Sequence, residues 1–67
     1  MIMCEFKVYL EELGKERMEV ARNVIAAKKK DGTVLLVNTL GAVTLVNSVS
    51  IEEADVFSQE MILRRES

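Results

Sequence analysis

The chain contains no histidine and only one cysteine, Cys4. The first absence removes the Cys/His zinc sites, and the second rules out an internal disulfide. Aromatic residues are almost as scarce, with Phe6, Tyr9 and Phe57 making up the whole set. That is too few to interleave with basic residues as base-stacking RNA surfaces require. No apolar run approaches the length of a transmembrane helix. The start lacks the basic region of a signal peptide, and Glu5 and Lys7 interrupt any apolar stretch there. The expected compartment is therefore the cytoplasm, with no membrane contact. A net charge of −2 and a pI of about 5.1 supply no long-range pull toward nucleic acid or an anionic membrane.

What is present fits one small β domain spanning 1–67, with 1–3 and 64–67 expected to fray. The chain is 49% hydrophobic and 30% charged, a balance that folds. At 67 residues it buries roughly 60% of its unfolded surface, so the core is marginal unless something adds to it. The stretch from Val24 to Val46 organises the rest. Asp31-Gly32 between two β-capable runs is a strong hairpin signal, because a type I′ turn needs positive φ at both central residues. A two-residue turn sets the register: Lys30 faces Thr33, Lys29 faces Val34, Ala27 faces Leu36 and Ile25 faces Asn38. One face then carries Ile25, Ala27, Val34 and Leu36, and the other Val24, Ala26, Leu35 and Val37. Asn38-Thr39-Leu40-Gly41 is the next turn, with Gly41 left-handed, and Ala42 to Val46 returns. A hairpin outside a lone small domain should have one wet face, whereas both faces here are apolar. The meander therefore points to a closed barrel, a dimer, or both.

The flanks follow the same logic. Cys4 to Leu10 alternates strictly, with Cys4, Phe6, Val8 and Leu10 on the inner face and Glu5, Lys7 and Tyr9 outside. Glu12 to Lys15 is a turn. Lys15 to Lys30 reads two ways: its apolar spacing suits a helix, while the Asp-Gly turn suits a short strand at Met18-Glu19-Val20, a corner at Arg22-Asn23 and a hairpin arm. Asn47-Ser48 marks another turn. Val49 and Ile51 alternate, then the phase slips across Glu52-Glu53 so that Ala54 and Val56 continue the apolar row. A β-bulge explains the slip, with a short capped helix as the alternative. Met61-Ile62-Leu63 is a closing strand, and Arg64 to Ser67 a polar tail. Phe6 and Phe57 are expected in the core.

Several of these stretches together resemble the CooT-type family of small nickel-binding proteins. They are Met3-Cys4-Glu5-Phe6-Lys7-Val8-Tyr9-Leu10, Val24-Ile25 before Lys30-Asp31-Gly32, Val34-Leu35-Leu36 leading to Leu40-Gly41, and Ile51 and Asp55-Val56 ahead of Ile62-Leu63. The resemblance spans nearly the whole chain, and its chemically specific mark is the Met-Cys pair. It implies a small all-β domain that pairs into a homodimer, with the cysteine after the initiator Met binding nickel for maturation of carbon-monoxide dehydrogenase. It also decides Lys15 to Lys30 in favour of strand and turn. Members were formerly labelled predicted RNA-binding proteins, which supplies the rival function. Here Met1-Ile2 precede the pair. A start at Met3 would leave Cys4 with a free amine after processing, whereas Met1 before the bulky Ile2 should stay.

The chemistry of Cys4 is compatible with that function. A thiolate and the nitrogen of the same residue close a five-membered chelate. Two such pairs from a two-fold dimer form an N/S set that suits square-planar Ni(II) or Cu(II). Met1 and Met3 add soft thioethers, which makes Cu(I) a competitor. The plainer alternative is a small apolar residue at the head of a strand. Lys28-Lys29-Lys30 is the one basic run and reads as solvated edge lysines rather than an RNA patch. Glu11, Glu12, Glu52, Glu53 and Asp55 have no base or nucleophile beside them, which argues against an enzyme, and Asp55 suits a turn or bulge. The expectation is an all-β, small antiparallel barrel-like meander of about six or seven short strands. Its expected function is that of a homodimeric nickel metallochaperone with Cys4 as ligand and a nickel enzyme as client. The alternatives are a small-barrel RNA-binding module and a pure protein-interaction domain.

Overall fold

The computed structural model describes residues 5–66. These form six strands and no helix: β1 (Phe6–Glu11), β2 (Met18–Lys30), β3 (Thr33–Asn38), β4 (Val43–Asn47), β5 (Val49–Asp55) and β6 (Glu60–Arg65). They make one sheet in the order β4-β3-β2-β1-β6-β5, coiled into a half-barrel. The all-β, barrel-like expectation holds, and Lys15 to Lys30 contains strand where its periodicity alone suited a helix. Four strand pairs are antiparallel, and β1 and β6 are parallel. The chain path explains the parallel pair. β4 and β5 are separated only by Ser48, which bends at φ 59° without reversing the chain, so the next hairpin delivers β6 alongside β1 in the same sense. The bend carries the chain from one edge of the sheet to the other. It is pinned there by Val49 N donating to Gly32 O (3.1 Å) and Glu66 N donating to Ser48 O (2.7 Å).

The hairpin forms as its turn residues require. Asp31 and Gly32 sit at φ 52° and 78°, and Lys30, Lys29 and Ala27 face Thr33, Val34 and Leu36. Beyond Ala26 the expected register fails: Val24, not Ile25, pairs with Asn38, because Ile25 is the extra residue of a bulge. The bulge turns Val24 inward (1% exposed) and Ile25 outward (45%). The inner face of the hairpin is therefore Val24, Ala27, Val34 and Leu36. They join Val8, Leu10, Val46, Val49, Met61 and Leu63, with Phe6 and Val20 packed against them. No charged residue is buried among the described residues.

Three further details bear on the sequence expectations. The slip on β5 is a bulge, since Ile51 faces Leu63 and Glu53 faces Ile62, leaving Glu52 over. The apolar row does not continue into the core as expected, for Ala54 and Val56 remain exposed. Phe57 is also outside the core, fully exposed at 103% on the β5–β6 turn. There the Asp55 carboxylate accepts hydrogen bonds from the Phe57 and Ser58 amides (2.8 and 3.4 Å) and carries the aromatic away from the sheet. The tail expected from Arg64 begins later, because β6 runs through Arg65 and both arginines are paired with carboxylates. The fraying expected of 1–3 lies outside the described residues.

Candidate metal centre

Cys4, the one metal ligand expected from the sequence, lies outside the described residues, as do Met1 and Met3. The structure does describe the end of the sheet that Cys4 immediately precedes. Glu5 leads into β1, and Phe6 faces Val24 on β2. Between β1 and β2 the ladder is irregular, since Phe6 faces Val24 while Val8 faces Ala21. Asn23 accommodates this corner at φ 55°, a left-handed conformation that Asn tolerates better than most residues.

Asn23 is a junction of three segments. Its side-chain Nδ2 donates to Glu5 Oε1 at 3.0 Å, and its backbone carbonyl accepts from Thr39 N at 2.9 Å. Thr39 belongs to the β3–β4 turn, which Asn38 closes by accepting at its Oδ1 from the Leu40 and Ala42 amides, both at 2.9 Å. Gly41 adopts φ 82° there, as its place in the turn requires. On the other side, Lys7 N donates to Gln59 O at 2.9 Å. The result is a polar cleft of about 370 Å³ bordered by Glu5, Lys7, Arg22, Asn23 and Gln59. The sequence indicated a corner at Arg22-Asn23, but nothing in it announced that the Asn23 side chain would reach Glu5.

The outer face of the meander carries matched rows of mostly apolar side chains. Ala26, Val37 and Val43 lie in one row across β2, β3 and β4, and Lys28, Leu35 and Leu45 in the next. Val43 and Leu45 are 55% and 61% exposed, and Leu35 and Val37 half-buried. The Ala26 row lies beside Val24 and hence toward the end where β1 begins. Lys28 and Lys30 edge this face at the other end and have no ion pair among the described residues.

Several carboxylates are paired with cations. Glu11 accepts hydrogen bonds from Arg17 at 2.6 and 3.1 Å, and Arg64 lies 3.5 Å from its other oxygen. The Arg17 hydrogen bonds, with Arg64 adding, hold its carboxyl below the usual carboxylate range. Lys15, followed by Arg65, does the same for Glu12. Glu52 pairs with Arg64 at 3.3 Å. Arg17 also lies 5.7 Å from the centre of the Tyr9 ring. Phe57 lies in the β5–β6 turn and the lysine run at the end of β2, on strands that are not neighbours in the sheet. No cluster of three or more His, Cys, Asp or Glu side chains able to hold an ion occurs among the described residues. No described helix is long and apolar enough to cross a membrane.

These features define a small β half-barrel with a polar cleft at the end where β1 begins and an exposed apolar face on the β2–β4 meander. The family model described as CO dehydrogenase accessory protein CooT matches residues 3–64. The chain belongs to the CooT family, and its role is accordingly that of an accessory protein toward CO dehydrogenase rather than a catalyst. In fold it is similar to a crystal structure of a protein assigned as CooT from Carboxydothermus hydrogenoformans. The two share 19% identity and a TM-score of 0.82, over 96% of this chain and all of that one. Comparison with proteins of curated function gives no match.

Proposed function

We propose that this protein is a cytoplasmic nickel carrier that serves CO dehydrogenase, binding Ni(II) through the Cys4 thiolate at the seam of a homodimer. The observation that carries this reading is the placement of the apolar face. The Ala26-Val37-Val43 row lies toward the end of the sheet that Cys4 precedes, so a two-fold pairing of these faces would bring two Cys4 segments toward one axis. The donor chemistry supports it, because one thiolate and one nitrogen from each chain complete a planar N/S set suited to Ni(II). The family match includes Met3 and Cys4. Copper is the competing cargo, since the same set accepts Cu(II) and the neighbouring thioethers favour Cu(I).

Nickel titration followed by absorbance tests the reading directly. Thiolate-to-nickel charge transfer should appear and saturate at one ion per two chains, and Cys4→Ser should abolish it while leaving the β spectrum intact. Affinity should fall as pH drops, because the bound thiol must be deprotonated. Unchanged binding in Cys4→Ser, or one ion per chain, overturns the assignment.

A further inference from the structure

Resting on CO dehydrogenase as the client, and on no position for Cys4, we infer that the lysine end of the outer face is where that enzyme docks, presenting an apolar patch rimmed by carboxylates. The charge map of the described residues leads there. Lys15, Arg17, Arg22, Arg64 and Arg65 each lie within 3.5 Å of a glutamate oxygen, and Lys29 is 4.0 Å from Glu66. Lys7 borders the cleft that Glu5 and Glu60 also line. Lys28 and Lys30 have no carboxylate in ion-pair range among the described residues. A chain of net charge −2 thus keeps two unneutralised cations together at one spot.

The register puts both lysines on one side of the sheet. Lys28 shares a row with Leu35 and Leu45, and Lys30 shares the next with Thr33 and Asn47. Residues two apart on a strand face the same way, so the two side chains spring from points roughly 7 Å apart. They edge an open groove of about 410 Å³ bordered by Lys28, Lys30, Asp31, Thr33, Leu35 and Leu45. Leu45 is 61% exposed there, and the lysine stems extend its apolar wall while their charged ends stay in water. A second copy does not satisfy this end. An isologous partner presents the same face, and none of its three rows, from Lys30-Thr33-Asn47 to Ala26-Val37-Val43, holds a carboxylate. Asp31 in the turn is the one acid at the groove. A different protein with acids around an apolar patch supplies what Leu45 and the two lysines both lack, and charges at such a rim steer the encounter and fix its orientation. Leu35 and Leu45 also belong to the proposed seam, so docking and pairing compete for them.

Interferometry with the full chain over immobilised CO dehydrogenase tests the inference. Wild-type affinity should fall as salt rises, because rim charges are screened. Lys28→Glu combined with Lys30→Glu should weaken binding about tenfold or more, since it sets like charges against the acidic rim, and the corresponding double Gln variant should weaken it less. Both lysines are exposed and outside the core cluster, so these variants keep the fold. Lys7→Glu, the same reversal at the other cleft, should bind as the wild type does. Sedimentation equilibrium separates docking from pairing: the double Glu variant should self-associate no more weakly than wild type, because it removes no apolar contact. Full affinity in the double Glu variant, an equal loss in Lys7→Glu, salt-independent binding, or a loss matched by lost self-association overturns the inference and leaves the client standing. Wild-type protein that does not bind CO dehydrogenase refutes the client, and the inference with it; nickel binding is read apart, from the charge-transfer band.

Discussion

Leu45→Ser is the sharpest test of the proposed pairing face. Leu45 is 61% exposed on β4 and sits beside Leu35, so the chain alone gains little from it and its truncation should leave the fold intact. In a two-fold dimer the same side chain is removed from water in both copies. Burying a whole Leu side chain is worth about 1.5–3 kcal/mol, and the exposed share of Leu45 therefore about 1–2 kcal/mol per chain. Two copies make about 2–4 kcal/mol per dimer, a weakening of about 30- to 1,000-fold in the dissociation constant. Sedimentation equilibrium over a dilution series measures it, with Leu13→Ser as the control. Leu13 is fully exposed as well but lies in the β1–β2 turn, away from this face, and its loss should leave association unchanged. If Leu45→Ser associates as tightly as the wild type, or if Leu13→Ser weakens association equally, the face has been misassigned.

Other perturbations have equally definite outcomes. Leu63→Ala, at a fully buried position of β6, should cost about 2–5 kcal/mol in a urea unfolding series, and a loss below about 1 kcal/mol would contradict its place in the core. Gly32→Ala should destabilise by about 1 kcal/mol through its φ of 78° alone, because nothing lies within 4 Å of an added Cβ; a neutral result would refute the turn. The folded-state pKa values of Glu11 and Glu12 are lowered from 4.5, so their contribution to stability is present above that value and lost as pH falls through the lower folded values. Urea midpoints measured down through the carboxylate range should drop less steeply in the Glu11→Gln, Glu12→Gln double variant, and identical slopes would remove these pairs from the acid response. RNA binding should be weak and vanish with modest salt, since an acidic chain neutralises few phosphates; salt-resistant retention in a filter assay would promote the RNA-binding alternative.

What the sequence disclosed depended on whether a feature leaves a local trace. The Asp31-Gly32 hairpin was legible because its turn type demands particular residues at two adjacent positions. The β5 bulge was legible because Glu52-Glu53 interrupts an apolar alternation, so the slip shows as a change of phase. The bulge at Ile25 leaves no such mark. Val24, Ile25, Ala26 and Ala27 are all apolar, and either phase satisfies the pattern. The parallel pairing of β6 with β1 is set by the unreversed chain at Ser48, which no alternation rule reports. Phe57 was assigned to the core by residue type, yet the Asp55 turn decides where its side chain goes. At the candidate site, Cys4 is nominated by its residue chemistry and the family resemblance alone, while the apolar outer face was legible in the two-sided hairpin pattern. The Asn23–Glu5 bond was not, because a side-chain contact across 18 residues requires the β1–β2 register first.

The arrangement also bears on how a carrier can release what it holds. A metal site enclosed by one folded chain opens only when part of that fold opens, and in a domain of 67 residues the total stability is about 3–10 kcal/mol. Local opening there competes with losing the whole structure. On the proposed reading the ion is divided between two chains at a seam formed by Val37, Val43, Leu35 and Leu45, none of which belongs to the buried core cluster. Opening that seam breaks the half-sites apart without disturbing Val8, Leu36 or Leu63. The cost of release is then set by the interface and the ion rather than by folding, and a client surface that competes for the seam can lower it. Linkage runs both ways: an ion that binds the pair and not the separate chains strengthens the pair by the same free energy with which pairing strengthens the site.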